Sequence, residues 1–491
     1  MNAAFVHRHS SLLHSSFRFR HSDFVISPPT AMPYHYNTPE DQREMLAAIG
    51  AKSIDELFAP IPAELQLKRP LDLPPALSEM ELDQHLRQLG GMNAHAGQMV
   101  CFLGGGSYDH FVPAVCDMVG SRSEFYTSYT PYQAEASQGN LQVMFEYQSL
   151  ITRLTGLAVA NSSLYDGASA AAEAVLMALH AGGNRQKVLV PSSLHPEYRA
   201  TIATYLENLD AELVTLDCPG GVIDVESLAD AVDADTAAVL VQQPNFFGCI
   251  EDADAIAAAV APTGALLIAV FDPISLGLLK RPGDWGANIA VAEGHTLGTP
   301  MSYGGPYLGI MACDQSLVRR MPGRIVGQTT DRRGNRCFVL TMQTREQHIR
   351  RDKATSNVCT NQALFAVRAS AYLAQLGPHG LRETANLCLQ KSRYLAERLC
   401  ASERFTLAFE APTFKEFVIR DAAGDVDGLL AAAREAGYLA GLPLGRWYPE
   451  LGDCLLIAVT EKRTKAELDG LAHTLASCGV TDEPILLASK N

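Results

Sequence analysis

The sequence has no apolar run of the roughly 18 residues that a membrane-crossing helix requires. Its longest candidate, residues 254 to 271, is broken by Pro262, Gly264 and acids. It also lacks any basic surplus: 39 Lys and Arg against 54 Asp and Glu give a net charge of -15. Nucleic-acid binders need the opposite sign, to displace counterions from phosphate. The 11 cysteines include no CxxC pair, and no His cluster has zinc spacing. Neither a disulfide framework nor a metal site is therefore expected, and a reducing cytosol suits the chain. What remains is a globular protein of 491 residues, 47% hydrophobic. That length calls for two or three domains, because single cores stop growing at about 250 to 300 residues.

Residues 1 to 31 are rich in Ser and His, hold three arginines, and have Asp23 as their only acid. This composition resembles a mitochondrial transit peptide. It equally fits upstream sequence joined by a wrong start, since Met32 opens ordinary composition; the second reading is preferred, and disorder is expected either way. Thr38, Pro39 and the acids that follow predict a capped helix ending at Gly50. A second short helix is expected after Ser53, an extended arm from Pro60 to Pro75, and a helix from Ser78 to Gly91. Gly104 to Gly106 lack the strand, spacing and GK[ST] ending of a phosphate loop.

The segment from Ser123 to Gly139 places Tyr126, Tyr129 and Tyr132 at every third position, beside Thr130, Gln133, Glu135, Ser137 and Gln138. Either it lines a pocket or it is a buried turn with its tyrosine hydroxyls bonded to backbone. A helix follows to residue 155, and then an Ala-rich helix with Gly167 and Ser169 at its start. Such a start can hold a phosphate through unpaired N–H groups, or can simply be capped. From KVLVP onward strands and helices alternate through ELVTLD, AAVLVQQP and ALLIAVFDP. Val- and Ile-rich strands between amphipathic helices predict a parallel sheet covered on both faces, with ligands beyond the strands' carboxyl ends. Asp272 and residues 293 to 306 follow such ends. The charged run from Arg345 to Lys353 reads as a solvated helix face, and Thr355, Ser356, Asn357 and Thr360 after it offer hydroxyls and an amide. Helices from about 371 to Gly377 and from Leu381 to Ala401 lead to an α+β tail ending in a helix from Lys465 to Cys478.

Residues 293 to 306, EGHTLGTPMSYGGP, contain no lysine. They stand where many pyridoxal-phosphate enzymes place the lysine that tethers the coenzyme, and the corresponding position is His295. Imidazole cannot form the Schiff base. Lys280 comes only eight residues after Asp272, too few for the intervening crossover, and Lys353 lies in the charged run.

Taken together, TPYQAEASQG, NSSLYDGASAAAEA, TPMSYGGP and TREQHIRRDKATSNVCT resemble the glycine decarboxylase P-protein of the glycine cleavage system. More narrowly they resemble the N-terminal subunit of its split form, over about residues 32 to 475. The resemblance implies an α/β chain of pyridoxal-phosphate fold type I, with a doubly wound, mainly parallel sheet, a smaller α+β C-terminal domain and a helical N-terminal arm. The corresponding bounds are 1 to 31 for the extension, 32 to 122 for the arm, 123 to 370 for the sheet domain and 371 to 491 for the small domain. It further implies a cytoplasmic bacterial enzyme subunit, inactive alone, in a heterotetramer with two copies of the C-terminal subunit. That partner would hold pyridoxal phosphate covalently while none is so held here. Glycine would be decarboxylated on the coenzyme and the aminomethyl group passed to lipoylated H-protein.

The tyrosine-rich segment is then expected to line the shared active site, and residues 355 to 360 to reach a phosphate in the partner. Gly167, Ser169, Asp272 and His295 would be a vestigial pocket. Two competing readings are a structural or regulatory pseudoenzyme subunit, and a self-sufficient enzyme using Lys280 or Lys353.

Overall fold

The computed structural model describes residues 37–354, 356–358 and 361–478; the extension 1 to 31, Thr355 and Thr360 lie outside the described residues. The chain divides into two compact units at Gly90 and Gly91.

In the first unit, helix α1 (Pro39–Ala48) opens on a capping box: Thr38 Oγ1 accepts the Asp41 N–H, and Asp41 accepts the Thr38 N–H. The helix expected after Ser53 is only a four-residue 3-10 turn, Asp55–Phe58. Ile54, not Ser53, stands at its N-cap, although the Ser53 hydroxyl accepts from the Glu56 N–H at 3.3 Å. Pro60 and Pro62 close behind deny the N–H groups a longer helix needs. Helix α2 (Glu79–Gly91) ends the unit, in which no described residue is buried.

The second unit is built on a seven-stranded sheet: β1 (Val159–Ala160), β2 (Lys187–Pro191), β3 (Glu212–Leu216), β4 (Thr236–Gln243), β5 (Leu266–Phe271), β6 (Ile289–Glu293) and β7 (Gly309–Cys313). The spatial order is β1-β7-β6-β5-β4-β2-β3. The β3-β2-β4-β5-β6 block is parallel, whereas β7 runs antiparallel to both β6 and β1. Alternate residues feed two cores, as the period of two in a strand requires. Val239 and Val241 of β4 join Leu267 and Ala269 of β5 beneath α3 (Gln138–Thr155), α7 (Ala253–Val260) and the first part of α8 (Ala363–Cys400). Ala238, Leu240, Ile268 and Val270 meet α4 (Gly167–Ala181) and α5 (Pro196–Leu206) on the other side; α6 (Val225–Ala231) connects β3 to β4.

The two helices expected around Gly377 begin earlier, at Ala363, and are halves of α8, broken where Gly377 takes φ 57° and ψ -175° before Pro378. Proline has no N–H for the ladder, and glycine supplies the left-handed φ. The charged run of residues 345 to 353 is not one solvated helix. Only Gln347–Arg350 is α-helical, and Arg345 turns inward, donating to the carbonyl oxygens of Met321 and, at 2.9 Å, Gly323.

A four-stranded antiparallel sheet follows: β8 (Phe405–Leu407), β9 (Glu416–Asp421), β10 (Leu442–Pro443) and β11 (Cys454–Ala458), in the order β8-β9-β11-β10. One face packs on α9 (Val426–Glu435), α10 (Lys465–Ser477) and the end of α8 through Phe417, Ile419, Leu455 and Ile457. The other meets Phe246 and Phe247, from the loop leaving β4, through Val418 and Leu456. The carboxyl ends of β4, β5 and β6 thus open against the edge of the second sheet.

Candidate functional site

At that junction Asp272 follows β5, Glu293 ends β6, and Lys415 immediately precedes Glu416, the first residue of β9. Lys415 is 2% exposed. Its ammonium lies 2.8 Å from Asp272 Oδ2, an ion contact without hydrogen-bond alignment. It is also 3.1 Å from His110 Nε2 and 3.4 Å above the Tyr108 ring centroid. Such a cation is retained in the interior only when paired. Glu416 accepts from the Gly105 N–H at 2.7 Å and the Tyr108 hydroxyl at 2.7 Å; burial pushes its carboxyl up to about 7 against those two donors.

The three glycines at 104 to 106 are explained by this contact. A Cβ on Gly104 would lie 2.2 Å from Glu416 Oε1 and 2.6 Å from Ala458 Cβ. Gly105 and Gly106 take φ 67° and 98°. Over the same turn lies His195, ahead of α5: its Nδ1 accepts from the Glu197 N–H and its Nε2 donates to the Gly105 carbonyl at 2.7 Å. Burial lowers its pKa, consistent with that single-proton arrangement.

His295 is fully buried. Its Nε2 accepts from the Tyr108 N–H at 3.1 Å, so the proton sits on Nδ1, facing the Thr299 carbonyl at 3.4 Å. The ring stacks on Tyr307 with centroids 5.2 Å apart. Burial, then His110 and Lys415, push its pKa down to about 3. The imidazole is neutral, held in place, and offers no amine.

At the start of α4 the Gly167 and Ser169 N–H groups are already in use. Glu293 Oε2 accepts from the Gly167 N–H at 3.0 Å, while its Oε1 accepts from His295 and Leu308 N–H at 2.8 and 3.0 Å. Asp166 accepts from the Ser169 N–H at 2.7 Å, and Ser169 Oγ accepts from the Asp166 N–H, a closed capping box. The cavity between Asp272, Lys415, Glu416, His195 and Glu293 measures about 40 Å³, space for a few waters rather than a substituted pyridine. Pyridoxal phosphate therefore does not fit this inner pocket, which has neither space for its ring nor an amine for its tether; a cleft of about 370 Å³ lies outside it at the start of α4, lined by Gly167, Ala168, Glu197 and Glu293.

Gly167, Ser169, Asp272 and His295 thus come together, as one neighbourhood. The tyrosine-rich segment does not join them. Tyr126, Tyr129 and Tyr132 are 69%, 77% and 57% exposed, so this is no buried turn. Thr130 is half-buried, Gln133 and Glu135 are exposed, and Ser137 stands at the N-cap of α3. Gln138 is fixed by reciprocal bonds to Phe338 N and O, both 2.9 Å. Tyr132 meets His348 edge-on at 5.8 Å, which brings the tyrosine segment beside the charged run. Ser356 accepts from the Val358 N–H, and Asn357 is exposed.

Lys280 pairs with Asp254 at 2.6 Å on the surface, and Lys353 is exposed in a turn. The lysine that does reach the pocket is Lys415. Sequence reasoning missed it together with Tyr108, His110, His195, Glu293 and Glu416, although two adjacent charges opening the apolar strand FKEFVI are a usable signal. His110, Cys388 and Glu461 bring ligand-type atoms within 4.8 Å. Lys415 on His110 and Lys391 on the Glu461 carbonyl make this a hydrogen-bonded cluster flanked by cations.

Comparison with known proteins agrees with this architecture. The family model described as glycine cleavage system P-protein matches residues 34–475. Proteins described as probable glycine dehydrogenase (decarboxylating) subunit 1 are 50% identical in Desulforamulus reducens, over 91% of this chain and 100% of the relative, and 50% identical in Carboxydothermus hydrogenoformans, over 90% and 99%. A crystal structure of glycine decarboxylase (P-protein) in inhibitor-bound form superposes with a TM-score of 0.82 at 43% identity, covering 91% of this chain and all of that one. A sphingosine-1-phosphate lyase from Burkholderia pseudomallei, 17% identical over 85% of this chain and 94% of its own with a TM-score of 0.62, shares the fold alone. The fold is the type I fold of pyridoxal-phosphate enzymes, and the chain belongs to the glycine cleavage system P-protein family.

Proposed function

We propose that this chain is the subunit of a two-subunit glycine decarboxylase that carries no coenzyme lysine. With its C-terminal partner, in a heterotetramer of two copies of each, it serves glycine cleavage. The partner holds pyridoxal phosphate, which supplies the electron sink for decarboxylation of glycine, and the aminomethyl group is passed to the lipoyl arm of H-protein. The observation that carries the reading is His295: at the position of the tether the chain has a buried neutral imidazole with both nitrogens engaged.

This chain's own part is to wall and orient. Exposed tyrosines at 126, 129 and 132 are rigid amphipathic rings of the kind that exclude water at an interface while their hydroxyls orient polar groups. Thr130, Gln133, Glu135, Ser137 and Gln138 belong to the same surface. Thr355, Ser356, Asn357 and Thr360 are proposed to complete the partner's phosphate cup. In the unit before Gly91, Leu65, Leu73 and Met80 are 74%, 70% and 69% exposed, an apolar display that suits coverage by another polypeptide. No helix among the described residues is long and apolar enough to cross a membrane.

Reconstitution tests the reading. The purified chain, supplied with pyridoxal phosphate and lipoylated H-protein, is expected to release no carbon dioxide from carboxyl-labelled glycine, and to do so when the C-terminal subunit is added. Release by the chain alone would overturn the assignment.

A further inference from the structure

A type I coenzyme site makes three demands: a carboxylate for the ring cation, helix N–H groups for the phosphate, and an amine for the tether. At each corresponding place this chain has a side chain of its own. Asp272 stands at the carboxyl end of β5 with Lys415 Nζ 2.8 Å away. The Gly167 N–H at the start of α4 is bonded to Glu293. The tether position is His295, packed on Tyr307.

We propose that Lys415 and Glu293 are built-in surrogates for the coenzyme, the ammonium replacing the ring cation on Asp272 and the carboxyl group replacing the phosphate on α4. They close the inner pocket, and Lys415 also ties the strand end of the four-stranded sheet to Asp272. This goes beyond the function proposed above, and activity of the assembled enzyme does not enter its test.

Three features make the substitution physically coherent. Without a cation, Asp272 would be a largely buried charge with only the Ile274 N–H as a partner, an unfavourable state; Lys415 supplies the counter-ion without a ligand. Its stem enters from just before β9, so the pair spans the seven-stranded and the four-stranded sheet. Glu416 beside it completes the joint by taking the Gly105 N–H and the Tyr108 hydroxyl. A phosphate arriving at α4 would meet the Asp166 carboxylate and, in the outer cleft, Glu197, while burial pushes the Glu293 carboxyl up to about 8 and keeps it largely neutral. Like charges there oppose an anion.

The test uses the full purified chain and pyridoxamine 5′-phosphate, which needs no lysine. Calorimetric titration of the wild-type chain is expected to show no saturable binding at millimolar ligand. Lys415→Ala/Glu293→Ala, which vacates both places, is expected to bind one equivalent at least tenfold more tightly than the wild type, with a rise in thermal midpoint on addition of ligand. Saturable one-to-one binding by the wild type, or a folded double variant that binds no better than it, would overturn the proposal.

A second measurement needs no variant. The native chain is treated with pyridoxal 5′-phosphate, reduced with borohydride and mapped by peptide mass. Exposed Lys280 and Lys353 are expected to carry label while Lys415 stays unlabelled until the chain is unfolded. Stoichiometric labelling of Lys415 in the native chain would show an open pocket and refute the closure.

Discussion

Replacing His295 by Gln gives a direct reading of what this buried ring contributes. The native ring is fully buried and faces His110, Lys415 and Asp272, and its pKa of about 3 lies well below the ordinary 6.5. Between those two values the unfolded chain binds a proton that the folded chain refuses. Stability contributed by the neutral ring is therefore complete above about pH 6.5 and is lost as the pH falls toward 3. The limiting slope for one group is about 1.4 kcal/mol per pH unit. From pH 6.5 to 4.5 the loss attributable to His295 comes to about 2 kcal/mol. Gln keeps an oxygen able to accept the Tyr108 N–H but does not titrate in this range. The His295→Gln chain, although weaker at pH 7 for want of the stack on Tyr307, should lose less stability than the wild type over that interval. The assay is urea unfolding at half-unit pH steps, following the difference between the two midpoints, in which the contributions of the other groups largely cancel. Parallel midpoint curves would refute the argument, since they would mean that His295 accepts a proton as readily folded as unfolded.

Gly167→Ala should cost about 1–3 kcal/mol from overpacking, because its Cβ would lie 2.0 Å from Tyr198 Oη and 2.8 Å from Glu293 N. Adding Tyr198→Phe should recover part of it in denaturant melts, and an undiminished Gly167→Ala midpoint would contradict the packing described. Asp421 holds Arg404 through two oxygens, at 2.7 and 3.0 Å, and also accepts the Ala423 and Asp425 N–H groups. Asp421→Ala leaves a largely buried guanidinium unpaired and should cost about 3–5 kcal/mol, read as a lowered urea midpoint. Tyr132→Ala, at a 57% exposed site, should change the stability of the isolated chain by less than about 0.5 kcal/mol. Activity reconstituted with the partner should fall at least tenfold, whereas full activity would favour a purely structural role for this surface.

Much of the main sheet was legible because its strands are continuous Val, Leu, Ile and Ala runs between amphipathic helices; KVLVP and ALLIAVF became β2 and β5 almost to the residue. The absence of a lysine at 295 was equally plain. The short edge strand β1, and β6 and β7 on either side of EGHTLGTP, were less so. β1 has two residues, and the turn around Tyr303 to Pro306 interrupts any regular alternation between the other two. Lys415 was invisible as a pocket residue for a different reason: it is 143 positions from Asp272 in the chain, and only the docking of one sheet on the carboxyl edge of the other brings them together. His195 and the glycines at 104 to 106 likewise acquire meaning only through that docking. A local pattern can mark a loop as unusual, but it does not say which distant side chain will fill it.

Loss of the lysine by itself would leave this junction worse than empty. It would keep a buried carboxylate at Asp272 and free donors at the start of α4, both costly without partners. The chain answers each from a different element: the residue before β9 supplies the cation, β6 the carboxyl group, and the glycine turn yields the space for Glu416 to approach. Because the Lys415 contact with Asp272 runs from the small sheet to the large one, undoing it weakens that joint as well as enlarging the inner pocket. A return to coenzyme binding therefore needs at least three coordinated changes, an amine at 295, a smaller residue at 415 and another at 293. A His295→Lys substitution made alone would add a second ammonium close to Lys415 and His110 without creating space for a ring. In the physical chemistry of this pocket, the closed arrangement of Asp272, Lys415, Glu293 and His295 is therefore self-consistent without a ligand.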